Sequence, residues 1–392
     1  MLIKPKIYKN ISLTAHPEGC SYSVKSQVDY VKNQPEIKGP GTVLVIGSST
    51  GYGLAARIVS AFSCQSTTIG VAFSKKGTAE TLGGVGWYNT LAFEKLTHRQ
   101  KNSHISINGD AFQIETKKQV IETVKKLQVK IDLVIYSIAA AKRLNPETGE
   151  QTMAVIKPIG QKFSFKTWDM GRKSVYEKEV LPATDREIEN TKKVMGGEDW
   201  AMWINALDDA GLLADNFKTI AFSYIGPELT YPIYRQGTLG EAKKHLEKTA
   251  NVLDRMLKKY NGSALVVISK ALVTKASVVI PAVSLYISIL YKIMKKKNLH
   301  EDCIHQIYRL YSDYLFSPTP KPRDDEGRIR IDDREMRPDV QAEVLDLMHR
   351  VNSENVRDLA DIEGFTNAFL QFHGFLHDKV DYEKDINLAD WV

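Results

Sequence analysis

The stretch TVLVIGSSTGYGLAARIVSAF, residues 42–62, decides the fold. Residues 42–46 are a short, almost wholly apolar run, which suits a parallel strand covered on both faces. After Gly53, the residues Leu54, Ala55, Ile58, Val59 and Phe62 recur at helical spacing. Between the two lies GSSTGYG, in which Gly47, Gly51 and Gly53 follow a GxxxGxG spacing, one residue longer than GxGxxG. Glycines there let the backbone turn sharply and approach a pyrophosphate, while the N-terminus of the next helix supplies oriented N–H donors and positive potential. A plain tight turn would not need three glycines in seven residues. The stretch therefore reads as a dinucleotide site.

Working outward, the first half of the chain alternates strand and helix. TIGVAF (68–73), HISI (104–107) and DLVIY (132–136) are further strand candidates, and residues 116–127 have helical spacing. In the second half, residues 198–213 suit a helix, TIAFS (219–223) a strand and ALVVI (264–268) another. This alternation argues for an α/β Rossmann-type fold, a doubly wound parallel sheet. A single large domain over residues 1–392 is expected, with insertions at 77–101 and 141–182. Residues 298–392 form a charged, mostly helical C-terminal extension, expected to pack on the sheet's flank; RIRID (328–332) within it alternates in a way that suits a small hairpin.

Composition narrows the class. A net charge of +6 is spread along the chain, with KKK at 295–297 as the one basic run, so nucleic-acid binding is not indicated. Cys20, Cys64 and Cys303 lack CxxC spacing, which fits neither a disulfide framework nor a zinc site. His373 and His377 are four apart, but Gly374 interrupts them and no HExxH pattern is present, so no metal is expected. The N-terminal residues lack the apolar core of a signal peptide, and a cytoplasmic location is expected. The greasiest stretch, residues 276–294, contains Pro281, two tyrosines and Lys292; it reads as a buried helix walling an apolar substrate pocket, not as a membrane span.

Two further regions bear on chemistry. At the end of the second strand, where an acidic side chain would hold the ribose hydroxyls of NAD, the chain reads Phe73, Ser74, Lys75, Lys76. Without a carboxylate and with two lysines, that place tolerates a 2'-phosphate, so the residues lean toward acceptance of NADPH. Asp110 and Ala111 after the third strand, and Ile138 and Ala139 after the fourth, lie where open sheets meet ligands, with Asp110 suited to the adenine edge. The segment YRQGTLGEAKK, 234–244, opens a helix whose apolar face runs through Leu239, Leu246, Ala250, Leu253 and Leu257, with Lys243 the one charged member of that face. Thr238 and Glu241 fit a capping box that starts the helix at Leu239. A tyrosine gives up a proton more readily beside a cation, and the break at Gly237 lets Tyr234 and Lys243 face one another.

The Tyr-X8-Lys pair, with GSSTGYG, INGDAF, GGEDW, PIY, GTLGEAKK and KALVT, resembles the trans-2-enoyl-CoA or acyl-carrier-protein reductases of the FabV type. The likeness runs from MLIKPK at the start through IDDREMRPDVQAEV to FLQFHGF near the end. It implies reduction of the C2=C3 bond of trans-2-enoyl thioesters, the last reductive step of fatty acid elongation, with an enoyl-CoA or enoyl-acyl-carrier-protein as substrate; a monomer is expected. It implies NADH contacts at Gly47, Ser48, Ser49, Thr50, Gly51, Tyr52, Phe73, Ser74, Asp110, Ala111, Ile138, Ala139, Lys243, Leu272, Val273 and Thr274. It also implies Tyr224 as a substrate contact that could share the enolate with Tyr234, the proton donor. Ser74 departs from the glutamate usual in such enzymes, which keeps NADPH open beside NADH. Residues 276–297 would enclose the acyl tail, and Lys292 with Lys295 to Lys297 would face CoA phosphates or an acidic carrier protein, against an ordinary solvated helix end. Two other readings share the cofactor fold: a carbonyl reductase of the short-chain type, expected to carry Tyr-X3-Lys where this chain has Thr238, and a non-catalytic NAD(P) sensor, which need not keep Tyr234 and Lys243.

Overall fold

Val43, Leu44, Val45 and Ile46 are all fully buried because their strand is interior to a sheet with helices on both faces. The computed structural model describes residues 1–8, 11–146, 148–169, 171–278, 280 and 283–392. Among these, seven strands form one parallel sheet: β1 (Thr42–Ile46), β2 (Thr67–Ala72), β3 (His104–Asn108), β4 (Ile131–Tyr136), β5 (Leu213–Ser223), β6 (Ser263–Ile268) and β7 (Ile329–Arg330). Their spatial order is β7-β6-β5-β4-β1-β2-β3, all neighbours parallel. The chain winds outward in both directions from β1 and β4, and the crevice above the strand ends at that reversal is where doubly wound sheets bind ligands.

Alternate residues of β1 feed two separate cores, as the two-residue period of a strand requires. Leu44 and Ile46 pack with α4 (Ile114–Leu127), α6 (Glu198–Asp209) and α7 (Thr238–Leu257), through Val120, Trp200, Trp203, Leu246 and Leu253. Val43 and Val45 face α1 (Pro17–Lys32), α2 (Gly51–Phe62), α3 (Val85–Thr97) and α9 (Cys303–Leu310). A third core surrounds α8 (Val283–Lys296), which packs on α10 (Pro338–Arg350) and on α12 (Ile362–Phe372), with the short α11 (Val356–Leu359) between them in sequence. Helix α5 (Asp185–Met195) lies against α7.

Several boundaries differ from the sequence reading. Residues 77–101 hold α3 and form the crossover from β2 to β3, so they are part of the winding and not an insertion. Residues 141–182 fold mainly as two antiparallel pairs, Lys142–Leu144 with Gln151–Met153 and Phe163–Asp169 with Ser174–Val180. RIRID makes no hairpin: Ile329 and Arg330 pair in parallel with Val267 and Ile268, because a short alternating run does not name its partner. The helix expected over 198–213 stops at Asp209, and Leu213 already begins β5. The helix expected from 276 passes through 279, 281 and 282, which lie outside the described residues; the described helix starts at Val283. No described helix is long and apolar enough to cross a membrane.

Candidate active site

The glycine loop sits where its residue types demand. A Cβ on Gly47 would lie 2.2 Å from the Ser137 carbonyl oxygen, so the turn after β1 can approach β4 only without a side chain. Helix α2 then begins at Gly51; its N-cap Thr50 makes no side-chain capping bond, which leaves first-turn N–H groups available to an anion. Ser49, Thr50 and Tyr52 line a cleft of about 770 Å³, together with Phe73, Ser74, Lys75, Ile138, Ala139, Leu272 and Thr274. These features fit a dinucleotide: a close backbone turn, open N–H donors and small residues across the strand reversal. Ser74 is fixed by its backbone, whose N–H donates to Asn108 Oδ1 at 2.9 Å.

Asp110 and Ala111 lie past β3 but are not among the residues lining the cleft. Asp110 Oδ1 accepts from Phe112 N–H, and the Ala111 carbonyl accepts from Lys117 Nζ at 2.8 Å and Trp203 Nε1 at 3.0 Å. Val273 also stays behind the lining, its N–H donating to the Tyr291 hydroxyl.

The Tyr234 and Lys243 pair meets in the same cleft. Tyr234 is 4 % exposed on a turn that folds back over the start of α7; a Cβ on Gly240 would lie 2.4 Å from the Tyr234 carbonyl oxygen, so that glycine permits the close approach. The capping box is not formed. Gly237 is the N-cap, and Thr238 is already helical, its hydroxyl donating to Val155 O at 2.6 Å and accepting from Lys157 N–H at 3.2 Å. That hydroxyl is committed to strapping residues 155–157 onto α7. Lys243 is the charged member of an otherwise apolar face, as its spacing indicates; Nζ donates to the Phe222 carbonyl at 3.1 Å. Burial lowers its pKa to about 8, opposed by Glu247, so it is mostly cationic at neutral pH. Burial pushes the Tyr234 phenol up, with Glu335 adding to the effect, which keeps it protonated.

Tyr224 stands one residue past β5, its ring T-shaped to that of Tyr234 with centroids 4.9 Å apart and planes at 74°. Its hydroxyl donates to Glu335 Oε1 at 2.9 Å. Glu335 lies in the C-terminal extension, which thus does more than cover the sheet's flank: it also supplies β7 to the sheet and Phe369, Phe372 and His373 to the cleft. The sequence reading gave none of these four residues a role. Of the basic residues near the end of α8, Lys295 pairs with Asp361 at 2.7 Å, Lys297 with Asp339 at 3.0 Å and Glu343 at 2.6 Å, and Lys292 with the Asp358 carbonyl. Internal partners hold three of the four lysines, Lys292, Lys295 and Lys297, that were expected to face CoA phosphates or a carrier protein. Cys20, Cys64 and Cys303 are free, and no group able to hold a metal occurs among the described residues.

Comparison with known proteins agrees with this geometry. Residues 81–316 match the model of the trans-2-enoyl-CoA reductase catalytic region, residues 2–79 that of the NAD(P)H binding domain of trans-2-enoyl-CoA reductase, and residues 323–386 that of an enoyl reductase FAD binding domain. The chain is 48% identical over 388 residues to a trans-2-enoyl-CoA reductase [NADH] of Ruminiclostridium cellulolyticum, covering 99% of this chain and 98% of the relative. It is 50% identical over 391 residues to an enoyl-[acyl-carrier-protein] reductase [NADH] of Coxiella burnetii, covering 99% and 96%. The crystal structure of Treponema denticola trans-2-enoyl-CoA reductase in complex with NAD superposes with a TM-score of 0.94 at 45% identity, covering 99% of this chain and 98% of that one.

The third model's description implies a flavin, and residues 323–386 do not fit one. Space for a Cβ at Gly364 is filled by Asp361 Oδ2 at 2.2 Å, and at Gly374 by the His16 carbonyl at 2.5 Å, so neither glycine opens a cradle. The N-terminus of α12 is capped by the Asp361 carboxylate, which accepts from Gly364 N–H at 2.8 Å where a pyrophosphate would need the donor. A second cleft, of about 760 Å³, borders α8 and α12, but Asp361 and Glu363 line it and Lys295 is paired with Asp361.

Proposed function

This chain belongs to the trans-2-enoyl-CoA reductase family, and on that premise we propose how its cleft divides the work of reduction. The protein is an oxidoreductase that reduces enoyl thioesters with NADH. Bound at the glycine loop, NADH supplies a hydride to C3 of the thioester. Negative charge then gathers on the thioester oxygen, and a donor already aimed there stabilises it without reorganisation. Tyr234 is that donor: its proton passes to the thioester oxygen. The enol then gives the saturated acyl thioester as C2 takes a proton from solvent and the oxygen gives its own back, and the tyrosinate is reprotonated. Lys243 holds the ribose and offsets the charge of a tyrosinate. Tyr224 is a substrate contact beside them. The observation that carries this reading is the meeting, in one cleft, of Tyr234, Lys243 and the open N-terminus of α2.

The acyl chain lies along Ile280, Val283, Phe369 and Phe372, an apolar wall drawn from the loop before α8, from α8 itself and from α12. Residues 1–392 work as one unit, since the C-terminal extension completes both sheet and cleft. Ser74 offers a hydroxyl where a carboxylate would repel a 2'-phosphate, and Lys75 lies beside it on the cleft, so NADPH is accepted as well as NADH. In the cell the enzyme serves the last reductive step of fatty acid elongation, in the cytoplasm and as a monomer, with CoA or carrier-protein thioesters as substrates; light scattering tests the monomer.

The deciding experiment follows absorbance at 340 nm with crotonyl-CoA and either nucleotide. Loss of absorbance with NADH is expected, with measurable loss for NADPH. No loss with either nucleotide, on crotonyl-CoA or a longer enoyl-CoA, would overturn the assignment.

A further inference from the structure

Glu335 is fully buried, yet the reaction as derived gives it nothing to do. Its carboxylate gathers three donors from three parts of the cleft's wall. The Tyr224 and Tyr286 hydroxyls donate to Oε1 at 2.9 and 2.7 Å, and the Ala271 N–H donates to Oε2 at 2.7 Å. Tyr224 follows β5, Ala271 follows β6 and Tyr286 belongs to α8. A buried carboxylate is costly unless its lone pairs are used, so these bonds hold Glu335 and, equally, Glu335 holds the three donors.

The turn that presents it is built in advance. Strand β7 pairs with β6 at the sheet's edge, Arg330 grips Asp332 at 2.8 and 2.7 Å, and Met336 N–H closes the turn onto the Asp332 carbonyl at 2.9 Å. Gln341 Nε2 then bonds both the Glu335 carbonyl at 2.8 Å and the Tyr286 hydroxyl at 3.2 Å.

A tyrosine has one hydroxyl proton to give. In this structure Tyr224 gives it to Glu335, and Tyr224 meets Tyr234 through the T-shaped contact of their rings, its proton committed to the carboxylate. We propose that Glu335 is a positioning residue for the reduction: by holding the Tyr224 hydroxyl it fixes the ring whose T-shaped contact aims Tyr234 at the thioester oxygen. This rests on the enoyl reductase reading and sharpens it, leaving Tyr234 as donor and Tyr224 as its support. Burial raises the Glu335 carboxyl, and the Lys270 ammonium offsets part of that rise.

The test is a double-variant cycle on the full chain: wild type, Glu335→Gln, Tyr224→Phe and the pair together, with kcat and KM for crotonyl-CoA and NADH affinity by fluorescence. Glu335→Gln should lower kcat by roughly 10-fold and Glu335→Ala by about 100-fold, the scale of a misplaced reacting group. NADH affinity should not move. In the Tyr224→Phe background, Glu335→Gln should lower kcat no further, because the bond it breaks is already gone. A burden carried only through Tyr286 and Ala271 would persist there, and an equal loss in both backgrounds overturns the proposal, as does wild-type kcat in Glu335→Gln. Should Glu335→Ala fail to fold, the nearly isosteric glutamine variants still complete the cycle. Absence of turnover by the wild type would instead overturn the enoyl reductase reading itself.

Discussion

Beside the loop after β3, Asp199 is buried against the Lys117 ammonium at 2.7 Å and the Tyr136 hydroxyl at 3.1 Å; beneath Tyr224, Glu335 is buried against two hydroxyls and an amide. Both are carboxylates out of water, and both are bonded to a tyrosine. The first is closed by a full charge, and Lys117 also donates to the Ala111 carbonyl, so the pair braces the residues just after β3. The second is closed by neutral donors on three separate segments. The difference teaches that a buried ion pair suits a fixed brace, because breaking it strands a charge, whereas a hydrogen-bonded carboxylate sets the angle of the groups around it.

That contrast fails if variants on the two sides behave alike. On the reducing side, Tyr234→Phe should lower kcat by about 10²- to 10⁴-fold, the usual worth of a positioned proton donor, with NADH affinity near that of the wild type. Steady-state kinetics and fluorescence titration check the two halves of that statement. On the brace side, Lys117→Met strands Asp199 and should cost about 3 kcal/mol or more in urea unfolding, while kcat of the folded fraction stays within about two-fold. A kcat loss matching that of Tyr234→Phe would erase the distinction.

Smaller effects sharpen it. Ser74→Glu should lower kcat/KM for NADPH by roughly 10-fold and keep or raise the NADH value, since the new carboxylate repels a 2'-phosphate but accepts from the ribose hydroxyls. The least change is expected from pH. Lys243, held near 8 by burial, loses its charge as pH rises through that value, and the cation is the form that serves the ribose and the tyrosinate. Turnover should therefore decline several-fold between about pH 7.5 and pH 9, and Lys243→Arg, whose charge persists, should flatten that limb at a lower plateau. A wild-type profile flat across this range would remove Lys243 from the cationic role.

The fold was legible because its decisive signals are local. The apolar run 42–46, the three glycines and the helix after them lie within 21 residues, and the spacing of Tyr234, Gly237 and Lys243 is local too. What escaped was set by contacts distant in sequence. Lys117 and Asp199 are 82 positions apart, and Tyr224 and Glu335 are 111 apart. Thr238 looked like a cap because its neighbours fit that pattern, but its hydroxyl was claimed by Val155, a competitor no local window contains. Glu335 did leave a faint trace: it follows the alternating RIRID by a few residues, and a carboxylate just past a strand's carboxyl end is placed where open sheets meet ligands.

The edge pairing of β7 with β6 has a consequence for how the molecule is made. Strands β1 to β4 and the glycine loop have all been synthesised by residue 136, while Tyr224 waits for a partner more than a hundred residues downstream. A nascent chain can therefore form the glycine loop well before it can hold Tyr224 in place, because long-range parallel pairing is the slow part of folding. Until Glu335 has been made, Tyr224 stands without the carboxylate that holds its hydroxyl.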